Sequence, residues 1–456
     1  MLQSGDNPNF GHYVNFVKVA QTEGVDSSGK KTVTYSASYK FTTSSPIGSW
    51  TVYSKKQDQT YAWTTDSLNV LVKLVKVGSV VPSPVAPSGA TSVTGSTGST
   101  GPTLPSGPTG PTATTGVTGP TAPTSSPPPV VVYPEGEWLG TAGSKIVKSD
   151  GTIWMGRGAN LMDTRGCAAC ASVTGPERVT EVKRRMDELV KWGANFIRLT
   201  LESELNAPYA NYRPITQDAQ YLADIKAITD YAATKPGLYI EVSLWIDSSF
   251  STTPRVGWPT AQTIETWKIL TTTLKDNPRV MFGLVNEPQN NFDGSFDAQA
   301  WTAMNNCVQA IRDTEAAIGS KQHIVVVQGL GGWSRILKYY LTHPIAAGQG
   351  KNVAYEVHVY DAVSEFKVMF EDPSLIIPVI IGEFGPATGY MTLAETQTLM
   401  DRAEALKVPY LAWAFHQRCP PNLLVDNVGY GCGINMTLTP SPWGTQLKNQ
   451  LAKPLQ

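Results

Sequence analysis

The spacing of hydrophobic and polar positions changes along this chain and separates it into three regions. From residue 130 onward, short apolar runs alternate with segments whose apolar residues recur at helical spacing. Residues 177–193, ERVTEVKRRMDELVKWG, show the helical spacing and end in a glycine, so they predict a helix. The run NFIRLT that follows them predicts a buried strand.

The same alternation continues to the end of the chain. A hairpin with a turn at Asp150–Gly151 precedes the first strand, and a helix is predicted after each strand, including short ones near 334–341 and 362–372. The eight predicted strands contain the sequences GRGANL, FIRLT, LYIEVSLW, VMFGLV, HIVVVQG, VAYEVHVY, IPVIIGEFG and VPYLAWAFH. Alternation implies parallel strands joined by helical crossovers, so eight units predict an α/β fold, the (β/α)8 or TIM barrel. A doubly wound open sheet is the alternative, although no Gly-x-Gly-x-x-Gly follows a strand.

Residues 1–81 predict a small all-β domain. The segments KTVTYSASYKF, GSWTVYSKK, TYAWTT and LNVLVKLVKV alternate in polarity and are rich in β-branched and aromatic residues. Four aromatic residues of this domain fit either a packed core or a flat sugar-stacking face, so a carbohydrate-binding module is one interpretation. These residues are Trp50, Tyr53, Tyr61 and Trp63.

Residues 82–129 predict a linker. They are almost wholly Pro, Thr, Ser, Gly, Ala and Val, a composition that cannot bury a core. Glycines recur there at every third position, as in collagen, but Leu104 and Ala113 break the repeat. We therefore expect an extended, polyproline-like spacer that separates the small domain from a barrel domain over residues 130–456.

Composition excludes some classes of partner. The formal net charge is -1, so nothing in the charge balance favours nucleic acid or an anionic membrane. No apolar run reaches the length of about 18 residues that a membrane-spanning helix needs. The first residues, MLQSGDNPNFGHYVNF, show no signal-peptide pattern.

Five cysteines occur in the barrel region. Cys167 and Cys170 form a C-x-x-C pair, but no second pair or His-x-x-x-His supplies the other ligands of a zinc site. We expect two loop disulfides, Cys167–Cys170 and Cys419–Cys432, with Cys307 free on a helix. Free thiols throughout are the alternative.

Polar and aromatic residues follow the predicted barrel strands at the point where each strand ends. In a (β/α)8 barrel the carboxyl ends of the strands meet at one mouth, which holds the active site. The residues at these ends are Arg198, Trp245, Asp247, Asn286, Glu287, Gln328, Trp333, His358, Tyr360, Glu383, Trp413 and His416.

Two of these residues are glutamates, Glu287 on the fourth strand and Glu383 on the seventh, and these strands lie on opposite sides of the ring. Hydrolysis of a glycosidic bond needs one protonated carboxyl and one ionised carboxylate, so this pair predicts a glycoside hydrolase. A separation of about 5–5.5 Å between the carboxyls would predict retention of configuration, and about 6.5–9.5 Å inversion.

The motifs LVNEPQ and IIGEFG, in order with GRGANL, FIRLT, HVYD and YLAWAF, resemble glycoside hydrolase family 5 over about residues 137–452. This family belongs to a clan of retaining (β/α)8 hydrolases and includes many cellulases and β-mannanases. The resemblance implies that Glu287 is the acid/base and Glu383 the nucleophile. It also implies that Asn286 binds the sugar 2-hydroxyl, and that Arg198 and Tyr360 hold Glu383 ionised and oriented.

The resemblance extends to sugar-binding residues. His358 would line the subsite next to Glu287, and Trp413 would stack under the sugar ring at the cleaved bond. The family usually carries a histidine at the end of its third strand, but Trp245 and Asp247 occupy that region here, and either could take over the sugar contact. Trp333 fits sugar binding or the rim of the barrel.

These observations predict a secreted, extracellular two-domain hydrolase that cuts internal β-1,4 linkages, with glucan favoured. Its partner would be a polysaccharide or oligosaccharide, and we expect a monomer. The chemistry requires no metal or other cofactor. A β-mannanase or an exo-acting β-glucosidase is the alternative within this class. A carbohydrate-binding or surface protein without catalysis is the alternative outside it.

Overall fold

The computed structural model describes most of the barrel domain and a strand pair nearer the start of the chain. The described residues are 20–25, 31–36, 137–165, 176–203, 213–252, 254–426 and 434–455. By contact, the chain divides into two units, Met1–Gly119 and Pro120–Gln456.

In the first unit, strands β1 (Ala20–Val25) and β2 (Lys31–Ser36) pair antiparallel. β2 falls within the predicted strand segment KTVTYSASYKF. The remaining residues of the small all-β domain, including its four candidate sugar-binding aromatics, and the linker at 82–129 lie outside the described residues. Their fold and domain bounds therefore stay predictions.

The second unit begins with a hairpin of β3 (Gly140–Ala142) and β4 (Lys145–Val147). The predicted turn at Asp150–Gly151 follows β4 and returns the chain, so that Val147 bridges Ile153. Gly151 has φ +82°, a left-handed conformation that glycine adopts at little cost. Leu139, Ile146 and Trp154 of this segment pack on side chains from the amino ends of the barrel strands. The hairpin segment thus covers the end of the barrel opposite its mouth.

Eight parallel strands close into a barrel in sequence order, so the predicted TIM-barrel fold is confirmed. The strands are β5 (Arg157–Met162), β6 (Phe196–Glu202), β7 (Tyr239–Ile246), β8 (Val280–Gly283), β9 (Val325–Gln328), β10 (Val353–Val359), β11 (Val379–Phe384) and β12 (Tyr410–Ala412).

Among the described residues, six α-helices surround the strands. They are α1 (Pro176–Lys191), α2 (Ala219–Ala233), α3 (Ala261–Leu274), α4 (Asp297–Ala317), α5 (Leu393–Leu406) and α6 (Pro442–Leu451). Side chains cap several of the helix starts, as at Thr392, which exchanges hydrogen bonds with Glu395 in a capping box.

The crossovers after β9 and β10 contain only short helices. They are Lys338–Leu341 and Ala347–Gly350, both 3-10, then the π-helix Lys367–Glu371 and the 3-10 helix Pro373–Leu375. The helix predicted near 334–341 shortens because Trp333 and Ser334 have φ of 60° and 61°, which a right-handed helix excludes.

Side chains alternate along each barrel strand between the helices and the interior of the barrel. On β10, Val353, Tyr355, Val357 and Val359 belong to the core shared with the helices. Ala354 instead joins the apolar layer at the closed end of the barrel. Glu356 and His358 lie two and four positions after Ala354, so they share its face of the strand and point into the barrel. The interior therefore changes from apolar to charged toward the mouth.

The cysteine predictions have different outcomes. Cys307 is buried on α4 and free, as expected. Cys419 is disulfide-bonded. Cys167, Cys170 and Cys432 lie outside the described residues, so the two pairings stay predictions.

Candidate active site

Glu287 and Glu383 meet at the mouth of the barrel. An oxygen of each carboxylate and a ring nitrogen of His358 lie within 4.8 Å of one another. The side chain of Glu287 is 23% exposed and that of Glu383 only 6%. Solvent can therefore reach Glu287 more easily than Glu383, which is deeper in the barrel.

The backbone around Glu287 is fixed by neighbouring loops. The indole of Trp267 donates to the carbonyl of Leu284 at 2.9 Å, which anchors the chain just before Glu287. Gly257, with φ +71°, lies so close that a Cβ there would approach the Glu287 carbonyl to 2.3 Å. Only glycine permits this approach, and it brings the loop after β7 against the turn that holds Glu287.

Glu383 has three polar neighbours. Arg198 Nη1 donates to Oε1 at 2.9 Å, Tyr360 Oη donates to Oε2 at 3.1 Å, and His358 Nδ1 lies 3.6 Å from Oε2. Burial raises the pKa of Glu383, and the charges of His358 and Arg198 only partly oppose this, so the pKa lies above its ordinary value.

Arg198 is fully buried and joins several strands. Besides Glu383, its guanidinium donates to Oδ1 of Asn160 and to Oδ1 of Asn286, both at 2.9 Å. Asn160 on β5 also donates to the carbonyl of Gly382 at 2.8 Å, next to Glu383. Because the guanidinium is planar and forked, it orients Glu383 and Asn286 together.

His358 lies between two carboxylates. Its Nδ1 is 2.7 Å from Oε1 of Glu287, and its Nε2 is 2.9 Å from Oε1 of Glu356. Burial lowers the pKa of His358, but the charge of Glu383 and the hydrogen bonds to Glu287 and Glu356 outweigh it and raise that pKa to about 10. The register of β10 against β11 shifts between Val357 and His358, which places His358 beside Glu383.

The same three groups are the candidate metal ligands of the described residues. Donor atoms of Glu287, His358 and Glu383 are close enough to share an ion. However, Nδ1 of His358 already faces Glu287, and a protonated imidazole has no lone pair left for a metal. We therefore assign no metal to this group.

Trp245 and Trp413 form one aromatic wall. Their ring centroids are 5.7 Å apart, and both rings belong to a cluster that includes Tyr360. The indole of Trp443 donates to the carbonyl of Trp413 at 2.9 Å. The two tryptophans predicted to contact sugar are thus adjacent.

A second aromatic pair stands at the surface. Trp333 is 42% exposed and meets Phe292, 60% exposed, with 5.2 Å between ring centroids in an edge-to-face arrangement. The amide of Trp333 donates to the carbonyl of Pro288 at 3.1 Å, so this pair is attached to the loop after Glu287. Phe292 was not predicted from the sequence, where its only signal was an aromatic residue in a polar loop.

Asp247 and His416, both predicted at strand ends, form hydrogen bonds with residues near them in the chain. The buried carboxylate of Asp247 accepts hydrogen bonds from Ser249 and Thr263 and caps the short helix Ser248–Ser251. Nδ1 of His416 accepts the amide hydrogen of Arg418 at 2.9 Å, and burial lowers the pKa of His416 to about 4. The carboxylate of Asp247 therefore already accepts hydrogen bonds from the loop after β7 and from the first turn of α3.

Three residues that contact the site were not predicted from the sequence: Asn160, Glu241 and Glu356. Glu241 and Glu356 lie inside strands rather than at their ends, and both are fully buried. The alternation along β10 was the available signal, because Glu356 lies two positions before His358 and shares its face of the strand.

A closed (β/α)8 barrel with a pair of carboxylates, a buried arginine and exposed aromatic rings at its mouth defines a glycoside hydrolase. Residues 156–418 match the family described as "Cellulase (glycosyl hydrolase family 5)". The chain belongs to glycosyl hydrolase family 5.

Solved structures with the same fold include three hydrolases. "Cellulase Cel5C_n" is 21% identical, with 71% of this chain and 96% of that chain covered and a TM-score of 0.54. The β-glucanase SdGluc5_26A of Saccharophagus degradans is 19% identical, with 69% and 92% covered and a TM-score of 0.53. The catalytic domain of Thermobifida fusca endoglucanase Cel5A is 16% identical, with 69% and 97% covered and a TM-score of 0.53.

At these identities the solved structures support the fold alone. No curated protein matches the chain. In the part of the chain that the structure describes, no helix has both the length and the hydrophobicity to cross a membrane.

Proposed function

We propose that this enzyme cuts internal β-1,4 linkages of glucan with retention of configuration, using Glu383 as nucleophile and Glu287 as acid/base. The observation that carries the proposal is the short approach of the two carboxylates, with an oxygen of each within 4.8 Å. An oxygen–oxygen approach this short supports the ~5–5.5 Å carboxyl separation of retaining enzymes over the ~6.5–9.5 Å of inverting ones.

In the first step, Glu383 attacks the anomeric carbon while Glu287 gives its proton to the departing glycosidic oxygen. The bond to the leaving sugar breaks and a covalent glycosyl-enzyme forms. In the second step, Glu287 removes a proton from water, the water oxygen attacks the anomeric carbon, and Glu383 leaves as a carboxylate. The greater exposure of Glu287 supports its role in handling the leaving group and the water.

Neighbouring groups have supporting roles. Arg198 and Tyr360 stabilise the charge on Glu383 through the hydrogen bonds described above. Because Oδ1 of Asn286 accepts from Arg198, its amide nitrogen is the donor for the sugar 2-hydroxyl. Trp413 stacks under the sugar at the cleaved bond, and Trp245 extends the aromatic wall in place of the missing histidine.

Glucan as the substrate is supported by the relatives. The β-glucanase of Saccharophagus degradans has been solved with cellotetraose, and so has a variant of the Thermobifida fusca endoglucanase. Trp333 and Phe292 offer further rings on which a longer chain could extend beyond the cleaved bond. We propose that the enzyme acts as a monomer and outside the cell, where a polymeric substrate would be met.

Reducing-end release from carboxymethylcellulose, barley β-glucan, xyloglucan, mannan and xylan tests the substrate. The proposal expects the glucans to be cut, with a rapid fall in viscosity that marks internal cleavage. Preferential cleavage of mannan would show that the enzyme is a β-mannanase rather than a glucanase. Release of single glucose units would show that it cuts from chain ends rather than at internal linkages. No cleavage of any polymer across pH would favour a binding protein.

Rescue by azide tests the two roles. In Glu287→Ala, azide should attack the accumulated glycosyl-enzyme and give a β-glycosyl azide. In Glu383→Ala, azide should replace the nucleophile and give an α-glycosyl azide, because only one inversion occurs. The reverse stereochemistry would exchange the roles, and undiminished hydrolysis by either variant would refute that assignment.

A further inference from the structure

A second pair of glutamates lies below the proposed catalytic pair. Glu241 on β7 and Glu356 on β10 are both fully buried inside the barrel. The reaction described above uses neither of them. A buried charge is costly unless paired, so two such residues beneath a catalytic centre call for an account.

Glu356 contacts both cations that support the catalytic carboxylates. Its Oε1 lies 2.9 Å from Nε2 of His358 and 3.3 Å from Nη2 of Arg198. On their other sides, His358 contacts Glu287 at 2.7 Å, and Arg198 contacts Glu383 at 2.9 Å. Glu356 is therefore separated from each catalytic carboxylate by a single side chain.

Two strand glycines make room for the buried pair. A Cβ at Gly382 would lie 2.1 Å from the carboxyl of Glu356, and a Cβ at Gly283 would lie 2.4 Å from Oε1 of Glu241. A glycine inside a strand is destabilising relative to alanine, so two such glycines here are explained by the space that the carboxyls need. Gly382 directly precedes Glu383, so the strand that carries the nucleophile is shaped around Glu356.

The two glutamates differ in charge. Burial and the neighbouring Glu356 raise the pKa of Glu241 well above its ordinary value. Burial also opposes ionisation of Glu356, but Arg198 and His358 outweigh it and lower its pKa to about 2. Oε1 of Glu241 lies 3.5 Å from Nε of Arg198, whereas Glu356 contacts Arg198 at 3.3 Å and His358 at 2.9 Å. Glu241 is the neutral partner and Glu356 the anion.

We propose that Glu356 is a positioning residue for the proposed reaction: it holds the Nε2 hydrogen of His358, keeps that ring charged with Nδ1 toward Glu287, and so sets the alkaline limit of activity. Nδ1 of His358 lies 2.7 Å from Oε1 of Glu287, so the charge of that ring acts directly on the proposed acid/base. The anion behind His358 keeps the proton on the ring to higher pH.

Titratable groups from five strands and their ends surround Glu356 and His358. They are Arg198, Glu241, Glu287, Tyr360 and Glu383. Of these, Arg198 and the catalytic carboxylates take part in the proposed reaction, and Tyr360 contacts Glu383. Glu241 is the member that is buried, neutral and outside the proposed reaction, so it supplies a matched control.

The test compares pH profiles of kcat/KM for wild type, Glu356→Gln and Glu241→Gln on a soluble glucan that the wild type cuts. In Glu356→Gln the alkaline limb should move to lower pH by about one to two units, because losing a charged hydrogen bond shifts an equilibrium roughly ten- to hundredfold. In Glu241→Gln that limb should stay in place, because glutamine replaces a carboxyl that is already neutral. An unmoved limb in Glu356→Gln, or equal shifts in both variants, would overturn the proposal.

A second measurement does not depend on activity. In wild-type protein labelled with 15N-histidine, the ring nitrogens of His358 should both carry hydrogen at neutral pH. The chain has five histidines, so His358→Gln assigns the signals. A neutral His358 at pH 7 would refute the inference even if the enzyme is active. A charged His358 in a protein that cuts no glycan would instead refute only the proposed function.

Discussion

Replacing Tyr360 with phenylalanine removes one hydroxyl from the site and tests how the ionisation of Glu383 is controlled. Tyr360 Oη donates to Oε2 of Glu383 at 3.1 Å. Burial raises the pKa of Tyr360 well above its usual value, so the phenol stays a neutral donor throughout the working range. A hydrogen bond to the charged form of an acid lowers the pKa of that acid.

The size of the effect follows from the bond. A hydrogen bond to a charged group contributes about 1.5–3 kcal/mol, and one pKa unit corresponds to about 1.4 kcal/mol. At 3.1 Å the contact is long compared with the ~2.5–2.7 Å of strong O–H···O⁻ bonds, so the lower figure applies. We expect the pKa of Glu383 to rise by about one unit in Tyr360→Phe.

Glu383 must be ionised to attack, so its pKa appears as the acidic limb of the kcat/KM profile. Activity rises as pH increases through that pKa, and a higher pKa moves the limb to higher pH. Below the limb, kcat/KM of Tyr360→Phe should therefore be about tenfold lower than that of wild type. Initial rates on a soluble glucan between about pH 3 and 7 measure the shift.

Tyr340→Phe is the matched control. Tyr340 is fully buried, whereas Tyr360 is partly buried, and the hydroxyl of Tyr340 donates to the carbonyl of Gln328 at 2.9 Å, on the helix side of the barrel. Its loss should lower stability by about 1 kcal/mol without moving the acidic limb. If Tyr360→Phe keeps the wild-type limb, or if Tyr340→Phe moves it as far, then Tyr360 does not control the ionisation of Glu383.

Two further predictions concern binding and stability. Trp333→Ala should raise KM for polymeric glucan with little change in kcat, because the ring is exposed and has no contact with either proposed catalytic glutamate. A loss confined to kcat would exclude this role. Burial and the charge of Asp163 raise the pKa of Glu202 to about 9. The folded state thus keeps a proton that the unfolded chain loses near pH 4.3, so stability falls as pH rises from roughly 4.3 toward 9. Glu202→Gln should flatten the fall of Tm over this range, and an unchanged slope would contradict the assignment.

The order of barrel strands and helices could be predicted because both signals are local. The helical spacing of residues 177–193 and the apolar run before Asn286 depend only on neighbours in the chain. The helix near 334–341 was the weaker prediction because positive φ angles at Trp333 and Ser334 interrupt it. These angles accompany tertiary contacts, including the bond from Trp333 to the carbonyl of Pro288.

The candidate site was predictable where residues stand at strand ends. Arg198 was predicted at a strand end, but β6 continues to Glu202, so Arg198 lies inside the strand and reaches Glu383 from there. Topology alone brings the strand ends to one mouth, so Glu287 and Glu383 could be grouped without knowing any distance. Asp247 stands at such an end too, yet its carboxylate caps the following helix, which depends on where Ser249 and Thr263 lie. Position on a strand does not determine the direction of a side chain just beyond it.

The sequence by itself determined the barrel, the residue types at its mouth and the two glutamates on opposite strands. The spacing of apolar residues and the order of strands and helices, on which these predictions rest, are properties of the chain. Only the tertiary structure decided the spacing of those glutamates and the buried pair beneath them. Glu241 and Glu356 are far apart in sequence and read as ordinary strand positions. Their charges depend on Arg198, on His358 and on the space left by Gly283 and Gly382, which exist together only once the barrel has closed.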